Sequence, residues 1–296
     1  MDRRRLFRDL YSALIDVREG EEHTVLRAWR APVAEALEAL APLRRRDSAL
    51  RSGGEDLWAL YALSRVGDFL IELGCPAGDP GPGLGVTGGR RPDHRWLSEH
   101  ERFFAQVGLQ RFEHGAAFSP FHHEIFAVSV DETAGEVTVE DVVWPGFRFG
   151  DLLFCRAGVH LRAPSRLIDA TVATTSTLYF TFRRTPRGAD DPSHGWGSNS
   201  QWRTSFPRFY EDSDGLHFNW DGDRSLAGRS APPDHDPAAG PTLEQRRELL
   251  LNRCFVTSPL PADEHDRYPY EDRISLRESR WPLDAADVLP DPPRAG

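Results

Sequence analysis

A chain of 296 residues is long enough for one large domain or two modest ones with a substantial core, and 39% hydrophobic with 28% charged residues is an ordinary globular make-up. A net charge of -10 excludes the basic footprint that nucleic acid requires, and no apolar run approaches the ~20 residues needed to cross a bilayer. Cys75, Cys155 and Cys254 are far apart, so they form neither a disulfide framework nor a zinc ribbon and read as small buried apolar groups.

The start, MDRRRLFRDLYSAL, lacks a continuous apolar stretch and a small-residue cleavage site, so it reads as a helix and not as a targeting peptide. Leu6, Leu10, Ala13 and Leu14 recur at helical spacing, and Val25, Trp29, Val33, Leu37 and Leu40 do so in a second helix. A third fits Asp56 to Leu73, closing a helical segment over residues 1–74. Residues 75–92 are a Gly/Pro-rich connector without the ending of a phosphate-binding loop. His94 to Val107 reads as a short helix within a region, residues 93–282, that is otherwise rich in strands.

From Phe112 the periodicity changes to two, which predicts strands at His122–Val130, Val137–Val143, Leu152–Phe154, Val159–Leu161, Thr177–Arg183, Ser200–Phe206 and Leu216–Trp220. DETAGE, from Asp131 to Glu136, looks like a hairpin turn with Gly135 suited to a positive φ. Trp144, Phe147 and Phe149 around Pro145–Gly146 read as a packed corner, and Glu211–Gly215 as a turn. Thr242 is an N-cap candidate for a late helix running to Asn252, and residues 283–296 read as a frayed tail. The expected architecture is α+β: an N-terminal helical segment packed on a mainly antiparallel, curved sheet (a sandwich or half-barrel), with the late helix covering part of it.

FSPFHHEIFAVSV, Phe118 to Val130, places titratable groups at the mouth of a buried strand. Alternation puts His122, Glu124, Phe126, Val128 and Val130 on one face, the bulkier apolar one, so His122 and Glu124 line a pocket at the rim of the sheet. A partly desolvated carboxyl beside an imidazole moves both groups towards working pKa values, which suits general acid–base catalysis. With a third ligand such as His160, His122 and Glu124 could instead hold a divalent transition metal. His160 is expected on the face opposite Val159 and Leu161, and His217 is expected to face water with Asn219.

The second informative stretch runs from His194 to Phe206. Asn199, Gln201 and Arg203 alternate against Trp202 and Phe206, behind Trp196 flanked by glycines. If that row lines a cavity, Arg203 clamps an anion, Gln201 and Asn199 orient polar atoms, and Trp196 and Trp202 wall the site. The functional expectation is a cytoplasmic enzyme acting on a small polar, anionic metabolite, with no membrane or nucleic-acid partner. His122 and Glu124 transfer protons and Arg203 holds the anion. A metal-dependent enzyme and a non-catalytic ligand-binding protein are the alternatives.

Overall fold

A computed structural model of the chain describes residues 3–49, 54–74, 86–87, 93–112, 115–175, 206–228, 241–258 and 271–291. The helices are α1 (Arg3–Asp16), α2 (Glu22–Glu38), α3 (Arg46–Ala49), α4 (Gly54–Gly74), α5 (His94–Gln106), α6 (Ala170–Thr175) and α7 (Leu243–Asn252). The strands are β1 (Val86–Thr87), β2 (Gln110–Phe112), β3 (His123–Val130), β4 (Thr138–Trp144), β5 (Gly146–Phe149), β6 (Leu152–Cys155), β7 (Ala157–Ala163), β8 (Tyr210–Asp212), β9 (Gly215–Phe218), β10 (Arg224–Ser225) and β11 (Asp272–Leu276). The fold is α+β, as the change of periodicity predicts. A four-stranded sheet has the order β1-β3-β7-β4, and a seven-stranded sheet the order β10-β11-β9-β8-β6-β5-β2. Pairing is antiparallel except for β3 with β7 and β10 with β11.

The helical segment forms because its apolar residues recur along one stripe of each helix, and that stripe needs a partner. Leu10 and Leu14 of α1, Val33 and Leu37 of α2 and Leu60, Leu63 and Leu70 of α4 are all buried. They belong to one apolar cluster with Phe147, Phe149 and Leu152, and with Phe218 and Leu276, so helices and seven-stranded sheet share a core. α7 begins as its sequence implies. The Thr242 hydroxyl accepts from the Gln245 N–H at 3.2 Å, and the Gln245 side chain accepts from the Thr242 N–H at 2.8 Å.

Two of the crossings between the sheets are each made by a single residue. β4 ends in the small sheet at Trp144, and after Pro145 the chain enters the large sheet as β5. Proline carries no N–H for a ladder, so it suits a residue that belongs to neither. The return crossing is Arg156, between β6 and β7. Its guanidinium is buried, with Nε donating to the Phe121 carbonyl at 3.2 Å and Nη2 to the Leu251 carbonyl at 2.8 Å. The corner residues Trp144, Phe147 and Phe149 are buried as expected, and Phe147 and Phe149 belong to β5, which the sequence reading did not separate out.

Several expectations are corrected. DETAGE joins two strands that do not pair with each other, because β7 lies between β3 and β4. Asp131 Oδ1 closes the turn instead, accepting from the Thr133 N–H at 2.9 Å, and Gly135 is not among the positive-φ glycines. Strict alternation along β3 also fails. The register shifts between Ile125 and Ala127, so Ile125 and Val128 pack in one apolar cluster while Phe126 packs in another with Trp144. Both faces of β3 are therefore buried, one under α6 and the other under Ile71 of α4 and Leu97 of α5. The tail is not frayed up to residue 291. Val288 bridges Leu276, the Leu289 N–H donates to the Ser275 carbonyl at 2.8 Å, and Asp287 is buried. The predicted strand at Thr177–Arg183 lies outside the described residues, as does Ser200–Phe206 apart from its last residue.

Candidate active site

Ser119, Pro120, Phe121 and His122 form a tight turn that feeds β3. The proline presets φ for the turn, and the Ser119 carbonyl accepts from the N–H of His122 at 3.1 Å and of His123 at 2.8 Å. His122 thus precedes the strand and does not take part in its alternation. Its ring is 5% exposed, held between the edges of Phe121 and Phe112 with centroids 4.9 and 5.5 Å away. Nδ1 lies 2.9 Å from Ser119 Oγ, and Nε2 lies 3.0 Å from Glu211 Oε2. Arg148 of β5 binds the same Glu211 oxygen, and its Nη2 is 3.3 Å from His122 Nε2. The Arg148 guanidinium also lies over the Phe112 ring, 5.1 Å from the centroid.

Burial is the largest influence on His122 and lowers its pKa. Glu211 works in the opposite direction, while Arg148 and Arg156 reinforce the lowering. The imidazole is therefore neutral near pH 7. At Nε2 the Glu211 carboxylate can only accept and the Arg148 guanidinium can only donate; the carboxylate is the nearer, 3.0 Å against 3.3 Å, which favours the proton on Nε2 and leaves Nδ1 to accept from the Ser119 hydroxyl. This chain of hydrogen bonds runs from the Glu211 carboxylate through a buried ring to the hydroxyl of Ser119, a partly exposed residue.

Glu124 has different surroundings. It is 1% exposed, and Arg253 donates to Oε2 at 3.4 Å. Arg253 is the C-cap of α7, in the left-handed conformation at φ 62°. Glu124 lines a cavity of about 30 Å³ with Asp68 and His100, both buried, and Cys155. That volume admits water and no metabolite. The carboxylate against His122 is thus Glu211, and Glu124 pairs with an arginine from the late helix.

His160 lies on the face of β7 opposite Val159 and Leu161, as alternation predicts, 2.9 Å from Ser129 Oγ and 3.6 Å from Glu140 Oε2. It pairs across the ladder with Ala127, five residues beyond His122, or about 16 Å at the rise of a strand. Among the described residues no three His, Cys, Asp or Glu side chains gather to hold a metal ion, so the expected set of His122, Glu124 and His160 is not assembled. His217 and Asn219, expected to face water, are buried. Arg46, from the helical segment, covers that face of the sheet: its Nη1 is 2.7 Å from His217 Nε2, and its Nε is 3.0 Å from Asp212. Asn219 Oδ1 accepts from the Arg208 N–H at 3.3 Å. Cys254 is buried in an apolar cluster, as expected, while Cys155 is half-buried at the polar cavity.

Trp196, Asn199, Gln201, Trp202 and Arg203 lie outside the described residues, as do His114 and Cys75. Sequence reasoning passed over Glu211, which sits beside a turn-forming run of Asp, Ser and Gly, and Arg148, set among the aromatics of the corner. The available signal was the phenylalanine pattern: in GFRF the two rings point to the core, so the arginine between them points to the other face. No helix among the described residues is long and apolar enough to cross a membrane. No protein-family model, curated protein or solved structure matches this chain.

Proposed function

We propose that the protein is a cytoplasmic enzyme that acts on a small, polar, anionic molecule by proton transfer at His122, with Ser119 as the group it activates. The observation that carries this reading is the continuous hydrogen-bonded line from Glu211 through His122 to the hydroxyl of Ser119, a partly exposed residue. A hydroxyl is a weak nucleophile until a neighbouring base accepts its proton, and that base works best when a third group fixes its tautomer and orientation. His122 and Glu211 fill those two roles. Scattered cysteines and an acidic chain fit a reducing, small-molecule setting.

The chemistry that follows is transfer of an acyl group. Ser119 Oγ bonds to the carbonyl carbon of an ester, and its proton passes to His122 Nδ1. His122 returns that proton to the departing alkoxide as the carbon–oxygen bond breaks, and Glu211 stays ionised throughout. Water then releases the acid by the same route. The Arg148 guanidinium, a quarter exposed beside the pair, supports the choice of an anionic substrate.

A fluorophosphonate probe followed by peptide mass spectrometry tests the assignment, with hydrolysis of p-nitrophenyl hemisuccinate as a second readout. The expected result is labelling at Ser119. Labelling and turnover should vanish in Ser119→Ala and fall about a hundredfold or more in His122→Gln. Folded wild-type protein that neither takes the label nor turns over the ester would end the proposal, and so would labelling at another serine.

A further inference from the structure

α2 and α5 lie side by side, and the stripe each turns toward the other is not the apolar one that packed helices usually present. On α2 it runs through His23, Leu26, Arg27 and Arg30, and on α5 through Glu99, Arg102, Phe103 and Gln106. Both runs have the i, i+3, i+4, i+7 spacing of a single helix face, so these side chains meet across one groove. Its volume is about 130 Å³. Leu26 and Phe103 are buried and form an apolar floor, with the cations around it.

The charges do not cancel. Three guanidiniums face one carboxylate, an excess of two positive charges (3 − 1 = 2) on a chain whose net charge is -10. Arg102 takes the carboxylate, with Nη1 2.5 Å from Glu99 Oε1. Arg30 donates to the neutral Gln106 Oε1 at 2.7 Å, which keeps it oriented without neutralising it. Arg27 has no hydrogen bond or ion pair among the described residues. The His23 ring is turned toward the Gly20 carbonyl, with Nδ1 3.1 Å from the oxygen.

We infer that this groove is a binding site for a small phosphorylated compound or free phosphate. Guanidiniums carry paired N–H donors whose spacing matches a phosphate edge, and two of them with no carboxylate of their own suit a doubly charged oxyanion better than a single carboxylate. The groove's 130 Å³ is slightly less than the ~150 Å³ that holds a benzene-sized guest, so it accommodates a phosphate over Leu26 and Phe103, with any attached organic group extending toward solvent. The site draws on α2 and α5, neither of which contributes to the Ser119–His122–Glu211 line, and it stands whether or not that line is catalytic.

The test is isothermal titration of the full chain with inorganic phosphate, with phenyl phosphate and with benzoate, at constant ionic strength set by chloride. Binding of phosphate and of phenyl phosphate, with benzoate much weaker, is the expected result. Tighter binding of phenyl phosphate would identify a phosphorylated organic ligand, and equal binding would identify free phosphate. Arg27→Ala with Arg30→Ala should weaken both about tenfold or more. These two side chains are exposed or half-exposed, so the variant should keep the wild-type circular dichroism. No binding of either phosphate by the wild type, or undiminished binding by the folded double variant, would overturn the inference.

Discussion

Two buried histidines make the stability of this protein depend on pH in a defined direction. His122 and His217 both have their pKa values lowered from 6.5, each chiefly by burial, with Arg148 and Arg156 assisting at the first and Arg46 at the second. Carboxylates oppose the shift in each case, Glu211 at His122 and Asp212 with Asp214 at His217. Below 6.5 the unfolded chain takes up protons that the native rings still refuse, so stability rises with pH in this window and falls as pH drops through it. Urea unfolding should therefore give a lower free energy at pH 5.5 than at pH 7.5, and replacing both histidines by glutamine should flatten the difference. A pH dependence unchanged in the double variant would show that other groups cause it. Asp212 acts in a separate window. Burial alone would raise its carboxyl, but the Asp214 N–H and His217 outweigh that and hold it below 3.8, so its contribution is intact at both pH values and is lost only in stronger acid.

The strand pair β3–β7 shows how one element is shaped by its neighbours. Gly158 lies under the indole of Trp144, whose Nε1 donates to the Arg156 carbonyl at 3.2 Å. A methyl group there would overlap the indole itself, which is buried and braced by Phe126. Gly158→Ala should cost about 1–3 kcal/mol of stability by overpacking, measurable as a shift in the denaturant midpoint, with tryptophan fluorescence altered as the indole moves. A midpoint equal to wild type would mean that the ring yields freely. The late helix is the contrasting case. Thr242 and Gln245 satisfy its first N–H groups from within four residues, which is why its start was readable from sequence. The bulge in β3 depends on a partner strand more than thirty residues away, so alternation in the sequence carried no sign of it.

Helices α1, α2 and α4 share one apolar core with the seven-stranded sheet, and that sharing predicts how the molecule unfolds. Leu63 is fully buried there. Leu63→Ala should lower stability by about 2–5 kcal/mol. Because the cavity would weaken helix and sheet together, far-UV circular dichroism and tryptophan fluorescence should still report coincident transitions. Helical signal lost well before the fluorescence change would show instead that the N-terminal segment folds as a unit of its own.

Much of the local chemistry was legible, the DETAGE turn and the alternation along β3 excepted. The helix stripes, the period-two strands, the capping threonine, the absence of a membrane-length apolar helix and the α+β class all follow from residues within a few positions of one another. So does the need of His122 and Glu124 for partners, because titratable groups beside a strand of phenylalanine, isoleucine and valine are costly unless something meets them. Which groups meet them was decided only by the tertiary structure. Glu211 reaches His122 across 89 positions of sequence, Arg253 reaches Glu124 across 129, and Arg46 reaches His217 across 171. Periodicity states which face of an element a side chain occupies. It is silent on which other face will be laid against it, since that depends on the order of strands and on the two crossings at Pro145 and Arg156, and those are properties of the packed core as a whole.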